Sequence, residues 1–157
     1  MNLESTLTST STSSSLSSSL FYTIGYQGLG IERFIQILKV NGVKTIADSR
    51  YNPFSMNTDF RQAILKSHLQ QNGIGYVHMK ELGIHGEVRK AGNPIQWYME
   101  NVGPRINASI LGPLKQPVCL MCMEADIESC HRKVILDTLR DQGLNGSDLY
   151  PAKAGKK

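Results

Sequence analysis

The side chains best suited to chemistry cluster between positions 117 and 132. This stretch carries every cysteine of the chain, namely Cys119, Cys122 and Cys130. It also carries Glu124, His131 and Arg132. Its pattern predicts an apolar strand, a short acidic loop and the first turn of a helix. In an α/β protein, ligands gather where strands end, so this turn is a candidate site.

Cys130 is predicted to lie in the first helical turn, directly behind Ser129 as the N-cap. The amides of a helix N-terminus favour a thiolate there, and the neighbouring His131 and Arg132 strengthen the effect. Cys130 is therefore a candidate nucleophile, redox thiol or metal ligand; the alternative is a small hydrophobic residue at a helix start. The spacing also allows Cys130 to form a disulfide or a resolving pair with Cys122.

The same turn is suited to binding an anion. Free helix amides together with Arg132, and with Arg50 from the second strand, would hold a phosphate or a carboxylate. The alternative is that Arg132 only forms a surface ion pair with Asp126 or Glu128, which contributes little to stability.

Glu124 and Asp48 are carboxylates that follow or end predicted buried strands. Burial raises a carboxyl pKa toward the range useful for general acid–base catalysis, and a nearby arginine lowers it again. Both are candidate catalytic residues. A structural network of two carboxylates and two arginines is the alternative.

Cys119-x-x-Cys122 and Cys130-His131 supply four potential zinc ligands, but the position of the first pair does not favour a zinc site. Cys119 and Cys122 lie in a predicted strand, where they face opposite sides of the pleat. A zinc knuckle needs a turn at that point, and a thioredoxin-like pair would have to open a helix. We therefore predict neither a metal nor a cofactor.

The order of elements predicts the fold. Strands are predicted at 20–24, 45–48, 74–78, 118–123 and 149–150. Helices are predicted from Ile31 to Leu38 and from Ser129 to Leu139. Another is predicted from an N-cap at Thr58 to Leu69, with Gly73 as its C′ residue. A further helix is predicted over 94–111, with a break at Gly103-Pro104. Residues 79–93 show no periodicity and are predicted to form a long loop.

Strands that alternate with helices indicate an α/β domain of three layers, with a mostly parallel sheet of four or five strands and helices on both faces. In such a sheet the carboxyl ends of the strands share one edge. The polar residues predicted at that edge are Tyr26, Asp48, Arg50, Ser55, His78, Cys122 and Glu124.

Composition sets the boundaries of this domain and its setting. Residues 5–19 are nearly all serine and threonine, so 1–19 are predicted to be a disordered tail. Residues 20–150 are predicted to form the domain, and 151–157 are a basic tail. Three lysines of that tail supply most of the net charge of +4, so charge argues only weakly for nucleic acid. An odd number of cysteines without a secretory signal favours the cytoplasm. No apolar run is long enough to suggest a membrane partner.

Four motifs follow one another along the chain: Tyr22-Thr-Ile-Gly-Tyr26, Asp48-Ser-Arg50 with Pro53 and Ser55, the stretch from Gly73 to Gly83, and Cys122-Met-Glu124 with Cys130-His-Arg132. Together they resemble the family catalogued as domain of unknown function 488. The resemblance implies an α/β domain with signature residues Asp48, Arg50, Pro53, Ser55, Cys122, Glu124, Cys130, His131 and Arg132. Two positions depart from the family pattern: Ser49, where an apolar residue is commoner, and Tyr26, where histidine is commoner.

The favoured function is a small enzyme, a hydrolase or transferase, that acts on a phosphate-bearing substrate such as a nucleotide or a nucleic acid. The candidate catalytic residues are Cys122, Glu124, Cys130 and Asp48. The candidate substrate-binding residues are Arg50, Ser55, His131, Arg132 and Tyr26. One alternative is a non-catalytic module that binds nucleotides or nucleic acid through residues 80–90 and the tail. A thiol redox protein that uses Cys122 and Cys130 is the other.

Overall fold

The computed structural model describes residues 20–149, which form a central sheet covered by helices on both sides. The strands are β1 (Leu20–Gly25), β2 (Thr45–Asp48), β3 (Gly75–His78), β4 (Val118–Cys122) and β5 (Asn145–Leu149). The helices are α1 (Ile31–Val40), α2 (Gln62–Gln71), α3 (Gly86–Lys90), α4 (Pro94–Asn101) and α5 (Arg132–Asp141). The predicted tails, 1–19 and 151–157, lie outside the described residues.

All five strands are parallel, in the order β3-β2-β4-β1-β5. The predicted α/β fold with a parallel sheet is thus confirmed. The register brings the strand ends level: Asp48 pairs with both His78 and Met121, and Gly25 pairs with Cys122. The carboxyl ends of β1 to β4 therefore meet at one edge, as the alternation of strands and helices predicts.

Two apolar cores hold the three layers together. On one face, α1 and α2 bury residues such as Phe34 and Leu65 against Met121 of β4. On the other, α4 and α5 bury Tyr98 and Ile135 among the side chains of the second core. β4 is buried along its whole length because it lies in the middle of the sheet and alternate residues enter opposite cores. Burial of each large apolar side chain stabilises the fold by about 1.5–3 kcal/mol. The two cores therefore hold β4 in place and fix where it ends.

Several predicted boundaries are wrong. Residues 79–93 are not a structureless loop: they contain a 3₁₀ turn at Lys80–Leu82 and the helix α3. Leu82 and Ile84 anchor this segment in the second core. Five helical residues are too few to show a helical period in the sequence.

Two predicted N-caps are also wrong. Thr58 opens a 3₁₀ turn that Asn57 caps, and α2 begins only at Gln62. Ser129 ends a 3₁₀ turn that Asp126 caps, and α5 begins at Arg132 with His131 in the N-cap position. In both places a short 3₁₀ turn with its own cap precedes the helix, and its polar residues resemble a helix start.

The last strand was predicted too late in the chain. β5 spans Asn145–Leu149 because it pairs with β1 from Leu20↔Asn145 to Ile24↔Leu149. Its sequence, Asn-Gly-Ser-Asp-Leu, has low strand propensity, so tertiary pairing decides the conformation. The predicted glycine after α2 is confirmed, since Gly73 has a φ of 74°. No helix in residues 20–149 has the length and apolarity needed to cross a membrane.

The end of β1 passes unusually close to the segment that follows β4. Tyr26 N–H donates to the Cys122 carbonyl at 3.1 Å, and Gln27 N–H donates to the Met123 carbonyl at 2.8 Å. A side chain at Gly25 would overlap the backbone carbonyl of Glu124. Only glycine permits this approach, on which the geometry of the strand edge depends.

Replacing Gly25 with alanine should therefore lower the free energy of unfolding by about 1–3 kcal/mol, the usual cost of overpacking. The measurement is urea unfolding at neutral pH, followed by circular dichroism. Gly86→Ala is the matched control, because no atom of residues 20–149 lies within 4 Å of a Cβ at that position. Equal stability of Gly25→Ala and the wild-type protein would contradict the close approach.

Candidate functional site

Arg132, the first residue of α5, is completely buried, and its guanidinium binds groups of the described part of the chain. Its Nε donates to Asp148 Oδ1 at 2.9 Å, and Nη2 donates to Asp148 Oδ2 at 3.4 Å. Nη2 also donates to the Ala125 carbonyl at 2.9 Å, while Nη1 donates to the Glu124 carbonyl and to Cys122 Sγ, the latter at 3.3 Å. These bonds use all five N–H groups of the guanidinium.

The environment of Arg132 differs from both interpretations of the sequence, the open anion site and the surface ion pair. It forms no surface pair with Asp126 or Glu128, and its donors are all taken up by the protein. The loop after β4 turns carbonyl oxygens, not amides, toward the guanidinium. The structure thus places Arg132 behind the strand edge, where it joins β4, α5 and β5.

The beginning of α5 corrects the predicted position of Cys130, which lies before the N-cap and not at the first helical position. The first amides of the helix are engaged within the protein. Arg132 N–H donates to Cys130 Sγ at 3.4 Å, and Lys133 N–H donates to the Cys130 carbonyl at 3.1 Å. The helix N-terminus therefore acts on the sulfur of Cys130 and does not present an open anion cradle.

The Sγ atoms of Cys122 and Cys130 form a disulfide in the structure. Each sulfur also accepts an N–H of Arg132, one from the side chain and one from the backbone. Cys119 lies in the core on the α1–α2 side of the sheet, and burial raises the pKa of its thiol. The prediction that Cys119 and Cys122 face opposite sides of β4 is confirmed.

His131 lies between the sulfur pair and β2, and is only 1% exposed. Its Nε2 is 3.3 Å from both the carbonyl oxygen and Oγ of Ser49. Ser49 Oγ donates its own proton to the Met121 carbonyl at 2.9 Å, so both Ser49 oxygens act as acceptors toward the histidine. The proton of the neutral ring is therefore on Nε2, and the Nδ1 lone pair faces Cys130 Sγ at 3.9 Å.

Burial lowers the pKa of His131 to about 4. The imidazole packs against the ring of Tyr98, with 5.0 Å between the centroids. At neutral pH the ring is uncharged, as the assigned tautomer requires.

Asp48 and Arg50 form a second buried group at the end of β2. Arg50 Nε and Nη2 donate to the two Asp48 oxygens at 2.9 and 2.7 Å, and Tyr76 O–H donates to Asp48 Oδ2 at 2.6 Å. Burial alone would lower the pKa of Arg50, but the bonds and charge of Asp48 outweigh it and raise the pKa. The carboxylate of Asp48, which is fully buried, is thus committed to holding Arg50.

The opposite edge of the Arg50 guanidinium is less occupied. Nη1 makes one long bond of 3.4 Å to Tyr26 O–H, so one N–H on Nη1 and one on Nη2 have no acceptor among residues 20–149. Arg50 also lies over the Tyr26 ring, which stacks on Phe60 with 4.4 Å between centroids. His78 Nε2 donates to the Arg50 carbonyl at 2.7 Å and fixes the backbone.

A pocket of about 270 Å³ opens in front of these groups. Its lining includes five of the predicted site residues, Tyr26, Arg50, Cys122, Glu124 and His131. Glu124, which is 20% exposed, lies 3.5 Å from Arg89 of α3, measured from Oε2 to Nη1. A neighbouring depression of about 370 Å³ shares Tyr26, Phe54 and Met123 with the pocket.

The other predicted residues lie around the pocket. Asp48 lies behind Arg50, and Arg132 and Cys130 lie behind Cys122. Ser55 lines the neighbouring depression, where its Oγ accepts the N–H of Asn57 at 3.1 Å.

Three contributors were missed from the sequence. Asp148 precedes the residues predicted as the last strand, so its contact with Arg132 had no signal. Arg89 lies in the stretch predicted as a loop. Tyr76 could have been identified from the sequence as a site residue. It lies in the middle of a predicted strand next to β2, and its long side chain can reach the end of β2.

The fold and the pocket define an α/β protein with a polar site at the carboxyl edge of a parallel sheet. Residues 30–139 match the family model described as domain of unknown function DUF488. The chain belongs to this family, as the resemblance of its motifs predicts. The curated proteins and the solved structures contain no significant match.

The neutral His131 makes stability depend on pH in a defined direction. Its folded-state pKa of about 4 lies below the ordinary value, so the unfolded chain binds the proton first. As pH falls from about 6.5 toward 4, this group alone should remove roughly 3 kcal/mol of unfolding free energy. Urea unfolding of the reduced protein across this range should show the loss.

In His131→Asn the same pH interval should show a shallower slope, whatever the absolute stability of the variant. His68→Asn is the control, because His68 is partly exposed beside Asp59 and its ring is not enclosed by the core. An unchanged slope in His131→Asn would contradict the buried neutral imidazole.

Proposed function

We propose that the protein is an enzyme that binds a phosphate-bearing substrate, a nucleotide or a nucleic-acid end, in the pocket in front of Arg50. The observation that carries the proposal is the state of the Arg50 guanidinium. It is 7% exposed, one edge is fixed by Asp48, and the other edge retains two N–H groups beside the pocket. A rigid pair of guanidinium N–H groups matches two phosphate oxygens.

Arg89 supports an anionic substrate at the same place. Its side chain is 44% exposed and lines the pocket. Its contact with Glu124 is long, at 3.5 Å. A phosphate between Arg50 and Arg89 would contact both guanidinium groups. Asp48 already balances the charge of Arg50, so the phosphate would mainly balance Arg89 in place of Glu124. The single surface pair with Glu124 contributes little and can be exchanged for the stronger contact.

The aromatic walls favour a nucleotide over a simple phosphate. Tyr51 and Phe54 line the pocket, and Phe54 is 52% exposed although it is large and apolar. The guanidinium of Arg61 lies 4.6 Å from the centroid of the Phe54 ring. Exposed rings beside cationic groups are the usual surface on which bases stack. The neighbouring depression would then hold the part of the substrate distant from the phosphate.

Glu124 is the proton acceptor in this proposal. Its carboxylate lines the pocket and is partly exposed, so it can reach an attacking water or hydroxyl group. Asp48 has no such role here, because Arg50 and Tyr76 occupy its oxygens. The reaction class is hydrolysis or transfer at phosphorus, with the sulfur of Cys122 in the pocket wall.

Binding is tested by calorimetric titration of adenosine monophosphate into the reduced, metal-free protein. Arg50→Lys should weaken binding about tenfold or more, a loss of about 1.4 kcal/mol, because lysine cannot present two fixed N–H groups. Arg33→Lys is the matched control, because Arg33 is exposed on α1 and, within residues 20–149, its side chain bonds only Gln36. Wild-type affinity in Arg50→Lys would overturn the proposal.

Turnover is tested separately with adenosine monophosphate and bis(p-nitrophenyl) phosphate. Glu124→Gln should lower the rate about 100-fold while binding is retained, because only proton transfer is removed. Arg50-dependent binding without any turnover in the wild-type protein would instead establish the non-catalytic binding module.

A thiol redox role is the second candidate, and the sulfur contact between Cys122 and Cys130 favours it. Glutathione disulfide would accept two electrons and two protons from the thiols, giving an intramolecular disulfide and two glutathione molecules. Mass spectrometry after equilibration in glutathione buffers should then show a loss of two hydrogens in the wild type but not in Cys122→Ser. Thiols that remain reduced in these buffers would remove this candidate.

A further inference from the structure

We propose that in the reduced protein Cys122, Cys130 and His131 form a binding site for a soft divalent metal ion, zinc above all. The Sγ atoms of the two cysteines and a ring nitrogen of His131 all lie within 4.8 Å of one another. All three side chains are buried, at 1% exposure each. Two sulfurs and one imidazole are ligands that bind zinc in preference to hard cations such as magnesium.

The histidine has the tautomer that such a site requires. The bond pattern at Ser49 keeps the proton on Nε2, because Ser49 Oγ donates to the Met121 carbonyl and both Ser49 oxygens accept from the ring. Nδ1 therefore turns its lone pair toward Cys130 Sγ. Metal-binding histidines usually donate their second nitrogen to a carbonyl or a carboxylate, as His131 does to Ser49.

Both sulfurs are also held by the kind of donors that surround metal-bound thiolates. Arg132 donates its backbone N–H to Cys130 Sγ at 3.4 Å and its Nη1–H to Cys122 Sγ at 3.3 Å. These bonds favour the thiolate at each sulfur. Asp148 balances the guanidinium, so the charge of Arg132 does not oppose the metal by itself.

The backbone separation of Cys122 and Cys130 suits an ion between the two sulfurs once the disulfide is reduced. The Cα atoms of Cys122 and Cys130 are 7.7 Å apart, whereas disulfides usually span about 4.4–6.8 Å. Two thiolates on a tetrahedral zinc ion are about 3.8 Å apart, given zinc–sulfur bonds of about 2.3 Å. An ion between the sulfurs therefore suits the wider separation of the backbone.

The fourth ligand position would open toward the pocket. Cys122 and His131 both line the pocket, while Cys130 lies behind them. Three protein ligands with one open position are typical of catalytic zinc sites. Binding requires only that the two thiols release their protons to solvent, and no electrons are transferred. The inference does not depend on the phosphate proposal, because the three ligands are assigned from their own contacts.

The test is a titration of the reduced full-length protein with Co²⁺ and then Zn²⁺, followed by absorption spectroscopy. We expect one Co²⁺ per chain with thiolate-to-cobalt charge-transfer bands, which one equivalent of Zn²⁺ abolishes. Cys122→Ser and Cys130→Ser should each weaken zinc binding about 100-fold or more, the upper end of the effect seen for outer-shell changes. Cys119→Ala is the control, since Cys119 lies in the opposite core.

A second measurement avoids any dependence on the folding of the variants. In the wild-type protein, one equivalent of Zn²⁺ should slow alkylation of Cys122 and Cys130 by iodoacetamide, as read by peptide mass spectrometry. Absence of Co²⁺ binding to the reduced wild type, absence of thiolate bands, or wild-type zinc affinity in both serine variants would overturn the proposal. Anion binding is measured without metal, so its failure would be distinguishable from this one.

Discussion

The site depends on the hydrogen bonds that the buried guanidinium of Arg132 makes with the protein around it. A cation taken out of water is tolerated only when its donors are satisfied. Arg132 meets this condition by bonding Asp148 on β5, the carbonyls of Glu124 and Ala125, and the sulfur of Cys122. These groups belong to the last strand, the loop after β4 and the end of β4. Satisfying one side chain therefore fixes the path of the chain around the strand edge.

The two signature arginines consequently have different roles. Arg132 faces inward and positions both sulfurs, one through its side chain and one through its amide. Arg50 is fixed by Asp48 on one edge and leaves the other beside the pocket. The loop after β4 offers carbonyls to Arg132, so the proposed anion site consists of Arg50, which follows β2, and Arg89 on α3. The proposed metal site, by contrast, consists of the two sulfurs and His131.

The sequence predicted the parallel sheet and the convergence of strand ends because these follow from apolar periodicity and strand order, both of which are local. It failed where tertiary pairing or a short turn decides the structure. Asn145 to Leu149 became a strand by pairing with β1, and a capped 3₁₀ turn moved the start of α5 to Arg132. Zinc was not favoured from the sequence, although Cys119, Cys122, Cys130 and His131 are four potential ligands, because Cys119 and Cys122 face opposite sides of the strand. The approach of Cys122, Cys130 and His131 to within 4.8 Å results from tertiary packing, which has no local signal.

The most direct test of this account is the free energy of urea unfolding of Arg132→Lys, measured on the reduced protein. Lysine keeps the charge but has three donors on one nitrogen, so it cannot satisfy the Asp148 carboxylate, two loop carbonyls and a sulfur together. If the buried guanidinium holds the strand edge together, Arg132→Lys should lose about 3 kcal/mol or more, the cost of breaking a buried ion pair. A change within about 0.5 kcal/mol, typical of surface substitutions, would contradict it.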